Sequence, residues 1–204
     1  IKGKFPNIHC VVLTPFSHGI TKRMQNEDLS IFDYVFCWLG NTNLILSIIK
    51  LIEDKMNLEH DIQEAGVQMI LLVEDSIRFY SSILPNLYNY ILEQSKNFSK
   101  EALNRHAATM RMRGRPKVVL ARTYEEAQKL YDKYSDNTLG VISDARFPLK
   151  SAAKAFGNEV MPEEKPKHRT DTFGREKCPD AGLQLFRYIM KNDPFVPLII
   201  ASSD

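Results

Sequence analysis

Short runs of apolar residues alternate along this chain with longer segments in which apolar residues recur at every third or fourth position. The short runs are rich in β-branched residues and are apolar at consecutive positions rather than at every second position. Such runs are typical of strands buried on both faces of a parallel sheet. The pattern predicts six strands, at residues 8–13, 34–37, 67–73, 117–121, 139–143 and 198–201.

The longer segments have the periodicity of amphipathic helices. A helix is expected at each of four capping or opening positions, which are Asn41 or Thr42, Ser76, Thr123 with Glu126, and Asp180. Pro85 lies within the second of these segments and should kink that helix or begin a new first turn. The alternation of strands and helices predicts an α/β fold built on a doubly wound parallel sheet.

Two polar segments interrupt this alternation. The polar composition of residues 95–114 predicts a helix extension followed by a loop. Residues 149–179 are rich in charge and contain Pro162, Pro166 and Gly174, so we interpret them as a long insertion between a strand and a helix. A solvated excursion and a ligand-binding lid are the two interpretations of this insertion.

Composition narrows the class of protein. The chain has 204 residues, of which 44% are hydrophobic and 25% charged, and this excludes a wholly disordered or fibrous protein. A net charge of +2 is too small to indicate a nucleic-acid binder, and we interpret the basic run from Arg111 to Lys117 as a solvated rim.

No apolar stretch reaches the ~18 residues that a membrane span needs. Three widely spaced cysteines predict a reduced, cytoplasmic protein, and a first residue that is not Met leads us to expect part of a longer chain.

Polar side chains directly follow three of the predicted strands. Glu74 and Asp75 follow the third strand, Asp144 follows the fifth, and Ser202 follows the last. Because active sites of doubly wound sheets lie beyond the carboxyl ends of the strands, we expect these residues to converge. Clustered carboxylates attract a cation, and oxygen ligands suit Mg²⁺. A carboxylate beside Mg²⁺ can act as a nucleophile towards a phosphoryl group, and a nearby hydroxyl can bind the product.

Motifs of other phosphate and hydrolase chemistries are missing from the sequence. It contains no GxxxxGK[ST] phosphate loop, no GxGxxG motif after a strand and no GxSxG elbow. Asp144 is not followed, two residues later, by the second aspartate of haloacid-dehalogenase-type phosphatases. A small phosphatase-like enzyme is therefore kept only as a third functional hypothesis.

Taken together, the motifs after residue 66 resemble those of response-regulator receiver domains. The resemblance lies in the first strand and acidic pair (70–76), the start of the second helix (123–127), the phosphoacceptor strand with its hydrophobic–proline step (141–148), the start of the third helix (180–183) and the fourth strand with its hydroxyl switch position (197–202). The resemblance implies a flavodoxin-like, three-layer architecture. It also implies that Asp144 accepts phosphate, that Glu74, Asp75 and Asp144 hold Mg²⁺, and that Ser202 senses the phosphoryl group.

The N-terminal segment resembles the back half of a second receiver-like domain. A fourth strand with Thr14, a fifth strand at 33–38 and a last helix at 41–56 carry this resemblance, but Cys37 or Trp38 stands where the family has a lysine. We therefore predict two units. Residues 1–60 would form the degenerate C-terminal half of one receiver-like domain, and residues 61–204 a receiver domain with the insertion 149–179 and without its last strand and helix.

The whole segment also resembles the receiver-like N-terminal region of large bacterial proteins related to phosphoenolpyruvate synthase or pyruvate phosphate dikinase. Residues 72–81 and 141–148 carry this likeness. Such a protein would be a phosphotransferase, whereas for this chain alone we expect no enzymatic activity beyond self-phosphorylation.

Two functional hypotheses follow from the resemblance. The first is a phosphoacceptor module of two-component type whose partner is a histidine kinase or another phosphodonor, and the three acids favour it. The second is a non-phosphorylated docking or dimerisation module, which is favoured by the absence of the fifth strand and its lysine. Expected partners are other domains of a longer chain and a second copy, but neither nucleic acid nor a membrane. We expect the N-terminal strands to cover the exposed edge of the second sheet, in cis or from a second chain.

Overall fold

The computed structural model describes residues 8–15, 32–150 and 175–201. The strands are β1 (Val11–Pro15), β2 (Tyr34–Trp38), β3 (Met69–Val73), β4 (Lys117–Ala121), β5 (Thr138–Ser143) and β6 (Leu198–Ile200). The α-helices are α1 (Asn43–Ala65), α2 (Ile77–Lys100), α3 (Arg105–Arg113), α4 (Tyr124–Tyr134) and α5 (Ala181–Asn192), and a short 3₁₀ turn, Ser135–Asn137, precedes β5. All six predicted strands are present, with ends that shift by up to three residues.

The strands form two separate parallel sheets. The larger sheet has four strands in the order β4-β3-β5-β6, and every neighbouring pair is parallel. Among the residues that the structure describes, the smaller sheet consists of β1 and β2. The prediction of an α/β fold with parallel sheets and helices is confirmed.

Alternate residues of the central strand β3 belong to two different hydrophobic clusters, because successive side chains of a strand point to opposite faces. Leu72 packs in a cluster that also contains apolar side chains of β2, α1 and α2. Leu71 and Val73 pack in a second cluster with α4 and α5. The run is therefore apolar at every position because both of its faces are covered.

The N-terminal strands contact the rest of the protein through helix α2. Tyr80 of α2 donates a hydrogen bond to the carbonyl oxygen of Val35, and the backbone N–H of Cys37 donates to Ser81 Oγ at 2.9 Å. Strand β2 makes no strand pairing with the larger sheet. The expectation that the N-terminal strands complete that sheet in cis is therefore wrong, since the apolar side chains of β2 are buried against α2 instead.

Helix α1 is fastened to the edge strand β4 by a buried carboxylate. Asp54 is fully buried and accepts two hydrogen bonds from the Arg115 guanidinium, at 2.7 and 3.1 Å. It also accepts hydrogen bonds from the Tyr88 hydroxyl at 2.9 Å and from the Val118 backbone N–H at 3.0 Å. The outward-facing edge of β4 is thus covered by a helix, which prevents it from pairing with another strand.

The basic run before and within β4 is not the solvated rim that the sequence predicts. Arg115 and Lys117 are only 5% and 4% exposed, and Lys117 Nζ lies 2.7 Å from Asp61 of α1. Arg111 does lie on the surface, with its guanidinium 4.2 Å from the centre of the Phe98 ring. The prediction was wrong for two of the basic residues because their acidic partners lie more than 50 positions earlier in the chain.

The polar segment 95–114 is more helical than predicted. Helix α2 continues through Pro85 to Lys100, and a separate helix, α3, replaces the expected loop. The Asn104 side chain caps α3 by accepting a hydrogen bond from the Ala107 N–H at 2.8 Å. Within the described ranges, no helix is both long enough and apolar enough to cross a membrane.

Candidate metal centre

Three acidic side chains meet at the carboxyl end of the larger sheet. Glu74 and Asp75 follow β3, and Asp144 follows its parallel neighbour β5, whose last residue pairs with Val73. The backbone N–H of Asp144 donates to the carbonyl oxygen of Val73 at 2.8 Å, and that of Glu74 donates to Ala121 at 3.0 Å. One carboxylate oxygen from each acid lies within 4.8 Å of the others. The convergence expected from the sequence is therefore present.

Burial gives this cluster its electrostatic character. Glu74, Asp75 and Asp144 are 3%, 0% and 7% exposed. Burial, reinforced by the charge of Asp144, raises the pKa of Glu74 to about 8. The hydrogen bond that the Ser76 N–H donates to Glu74 Oε1, at 3.0 Å, works against this rise. Carboxylates held together away from water need a compensating cation.

The donor set fits a hard divalent cation. Carboxylate oxygens are the ligands that Mg²⁺, Ca²⁺ and Mn²⁺ prefer, whereas zinc and copper sites normally include nitrogen or sulfur. Cys10, Cys37 and Cys178 are all free thiols, and in the part of the chain that the structure describes these three acids are the one cluster suited to a metal. The buried acidic cluster could therefore bind a metal ion.

Lys177 brings a positive charge into this cluster. Its Nζ lies 2.8 Å from Asp75 Oδ2 and 3.0 Å from Asp75 Oδ1, and its side chain is 19% exposed. The motifs of the sequence did not predict a lysine at this site. The two residues are 102 positions apart, and no local pattern around Lys177 indicates its partner.

The loop after β5 is held by helix α5. The Ala145 N–H donates to Asp144 Oδ1 at 2.7 Å, which fixes the rotation of that carboxylate. The Gly182 N–H, in the first turn of α5, donates to the carbonyl oxygen of Ala145 at 3.1 Å. Phe147 is fully buried two residues further along. The orientation of the Asp144 side chain therefore depends on how closely α5 packs against this loop.

Gly182→Ala is expected to disturb the site because a Cβ at this position would lie 2.4 Å from the carbonyl oxygen of Asp144. The backbone must move, and we expect a loss of about 1–3 kcal/mol in the free energy of unfolding together with weaker divalent-cation binding. Urea denaturation and a Mn²⁺ titration measure the two effects. Gly114→Ala is the matched control, since its Cβ would meet nothing closer than 3.4 Å. Equal stability and equal Mn²⁺ affinity in both variants would contradict the close approach of α5.

The predicted hydroxyl switch, Ser202, lies outside the described residues, as does most of the insertion 149–179. The strand that precedes Ser202 does reach the site. The backbone N–H of Ala201 donates to the carbonyl oxygen of Ser143 at 2.9 Å, next to Asp144. The role of Ser202 stays a prediction.

Comparisons of the chain with family models, with curated proteins and with solved structures find no match.

Proposed function

We propose that this chain is a phosphoacceptor module of receiver type, with a flavodoxin-like, three-layer architecture, in which Asp144 accepts a phosphoryl group. The observation that carries the proposal is the convergence of the buried acids Glu74, Asp75 and Asp144 at one end of a sheet with strand order β4-β3-β5-β6. A carboxylate nucleophile, two supporting carboxylates and a metal suited to oxygen ligands are what acyl-phosphate formation requires.

The chain's own residues perform distinct tasks in this reaction. Asp144 Oδ attacks phosphorus, so that a new O–P bond forms while the bond from phosphorus to the donor breaks and the donor keeps the electron pair. The Ala145 N–H holds Asp144 Oδ1 and so limits rotation of the nucleophile. Glu74 and Asp75 would hold Mg²⁺ together with Asp144. When bound, Mg²⁺ neutralises negative charge that develops on the phosphoryl oxygens.

A histidine kinase or a small-molecule phosphodonor would supply the phosphoryl group, and a reducing cytoplasm is the proposed setting. Other domains of a longer, phosphoenolpyruvate synthase-like protein would receive the signal. These partners rest on the resemblance of residues 70–76 and 141–148 to receiver domains.

A docking module that does not turn over phosphate is the alternative. The observation in its favour is the ion pair of Asp75 with Lys177, which already balances part of the charge of the acidic cluster without a metal. In this alternative Glu74 stays protonated near neutral pH, in keeping with its raised pKa of about 8.

Incubation with acetyl phosphate and Mg²⁺ separates the two functions. We expect one phosphoryl adduct per chain in the intact mass spectrum, dependent on Mg²⁺ and absent from Asp144→Asn. The matched control is Asp136→Asn, because Asp136 is an exposed acid at the opposite end of β5. No adduct on the wild-type chain, or an adduct that survives Asp144→Asn, would contradict the proposal.

A further inference from the structure

Lys177 brings an ammonium group to the acidic cluster. Its ammonium group lies within hydrogen-bond distance of both oxygens of Asp75, whose side chain is fully buried. Lys177 itself is partly exposed, so it approaches the cluster from the rim. The carboxylates of the cluster are thus buried, and the positively charged Lys177 side chain lies between them and the solvent.

Lys177 and a divalent cation would use the same ligand. A cation held by the three acids needs an oxygen of Asp75, and Lys177 now lies within hydrogen-bond distance of both oxygens of that carboxylate. Lys177 and the metal therefore compete for the same carboxylate, since each interacts favourably with it at short range.

The backbone around Lys177 keeps its side chain near the site after such an exchange. The next residue, Cys178, forms an antiparallel bridge with Phe147, and its N–H donates to the Phe147 carbonyl oxygen at 3.1 Å. Phe147 belongs to the same loop as Asp144. The backbone next to Lys177 is thus anchored to the loop that carries the proposed phosphoryl acceptor.

The geometry points to Lys177 as an exchangeable counter-ion: it pairs with Asp75 in the metal-free protein, yields Asp75 to a divalent cation, and then pairs with the phosphoryl group on Asp144. The last step rests on the proposed function, whereas the competition for Asp75 does not. An acyl phosphate on Asp144 would carry two negative charges in place of the single charge of the carboxylate, so the ammonium group is needed most in the phosphorylated state. A charge-assisted hydrogen bond from lysine to a phosphoryl oxygen is among the stronger polar contacts in proteins.

The first arm of the test measures Mn²⁺ affinity by isothermal titration calorimetry. We expect Lys177→Met to bind Mn²⁺ about fivefold more tightly than the wild type, because a competing charge at a partly exposed position has been removed. Lys177→Arg keeps the charge and should stay close to the wild type. Lys191→Met, an exposed position at the far end of α5, is the matched control and should leave the affinity unchanged.

The second arm measures beryllofluoride, a stable analogue of the phosphoryl group, by fluorine NMR at saturating Mg²⁺. Here we expect Lys177→Met to weaken binding about tenfold, because the charge-assisted contact is lost. The two arms therefore change in opposite directions, which a general loss of structure would not produce. Circular dichroism of each variant checks that the fold is retained.

The outcomes separate this inference from the proposed function. If the wild type binds Mn²⁺ and beryllofluoride and Lys177→Met binds either with unchanged affinity, the exchange is overturned while the proposed function stands. Weaker Mn²⁺ binding by Lys177→Met also overturns it. If the wild type binds Mn²⁺ but no beryllofluoride, the proposed function fails together with the last step of the exchange, and the Mn²⁺ arm alone decides the competition for Asp75. If the wild type binds neither, both are overturned.

Discussion

Asp54→Ala is expected to lower the free energy of unfolding by about 3–5 kcal/mol, because it leaves the charge of Arg115 buried without its partner. Asp54 accepts four hydrogen bonds: two from Arg115, which precedes β4, one from Tyr88 of α2 and one from the β4 backbone at Val118. Its loss would leave these donors unsatisfied in the interior, which costs more than the bonds themselves contribute. Urea denaturation followed by circular dichroism measures the change.

Glu53→Ala provides the control for Asp54→Ala. Glu53 precedes Asp54 on the same helix and lies 3.6 Å from Arg115, but its side chain is 39% exposed and it also pairs with Lys50. Exposed ion pairs contribute little, so we expect a loss of about 1 kcal/mol or less. Similar losses for Glu53→Ala and Asp54→Ala would show that the buried network does not fasten α1 to the edge of the sheet.

Glu74→Gln is expected to stabilise the metal-free protein at alkaline pH. Burial raises the pKa of Glu74 to about 8, from 4.5 for an unperturbed group. Between these two values the folded state keeps a proton that the unfolded state has lost, so stability falls as the pH rises through this window and levels off above it. Glutamine does not ionise, and its carbonyl oxygen can still accept the hydrogen bond from the Ser76 N–H. We expect a gain of roughly 2–4 kcal/mol above pH ~8 and almost none near pH ~4, below the unperturbed pKa.

Urea denaturation in the presence of EDTA, at several pH values, tests this expectation. Addition of Mg²⁺ should reverse the order of stability, since a bound cation stabilises the folded wild type and Glu74→Gln has lost one ligand. Asp132→Asn, an exchange at an exposed acid on α4, is the control. Its difference in stability from the wild type should not increase with pH. A difference between Glu74→Gln and the wild type that stays constant from acid to alkaline pH would show that Glu74 is not held in a proton-binding environment.

Strands β3 and β4 were predictable because both of their faces are covered. The predicted strand 117–121 has the observed bounds of β4, since Pro116 precedes it and Arg122 follows its apolar residues 118–121. Helix α1 was less predictable. Its resemblance to a last receiver helix ends at residue 56, yet the helix runs to Ala65 and stops at Gly66, which adopts a left-handed conformation with φ 60°. The helix therefore crosses the predicted domain boundary between residues 60 and 61.

The candidate site was only partly predictable. Glu74, Asp75 and Asp144 follow apolar runs directly, so the topology of a parallel sheet is enough to bring them together. Lys177 and Arg115 reach their acidic partners across 102 and 61 residues, and their positions depend on how loops and helices pack. A basic residue near a strand is usually solvated, so the sequence around it does not indicate a long-range ion pair.

The metal centre is tested most directly by amide NMR spectra recorded during a Mn²⁺ titration, because a paramagnetic ion broadens the signals of residues close to it. We expect the signals of Ser76 and Ala145, which adjoin the acids, to broaden first. Those of Gln68 and Thr138, at the opposite end of the sheet, should persist. Broadening that begins elsewhere in the protein, or that spares Ser76 and Ala145 at saturating Mn²⁺, would contradict a divalent-cation site formed by Glu74, Asp75 and Asp144.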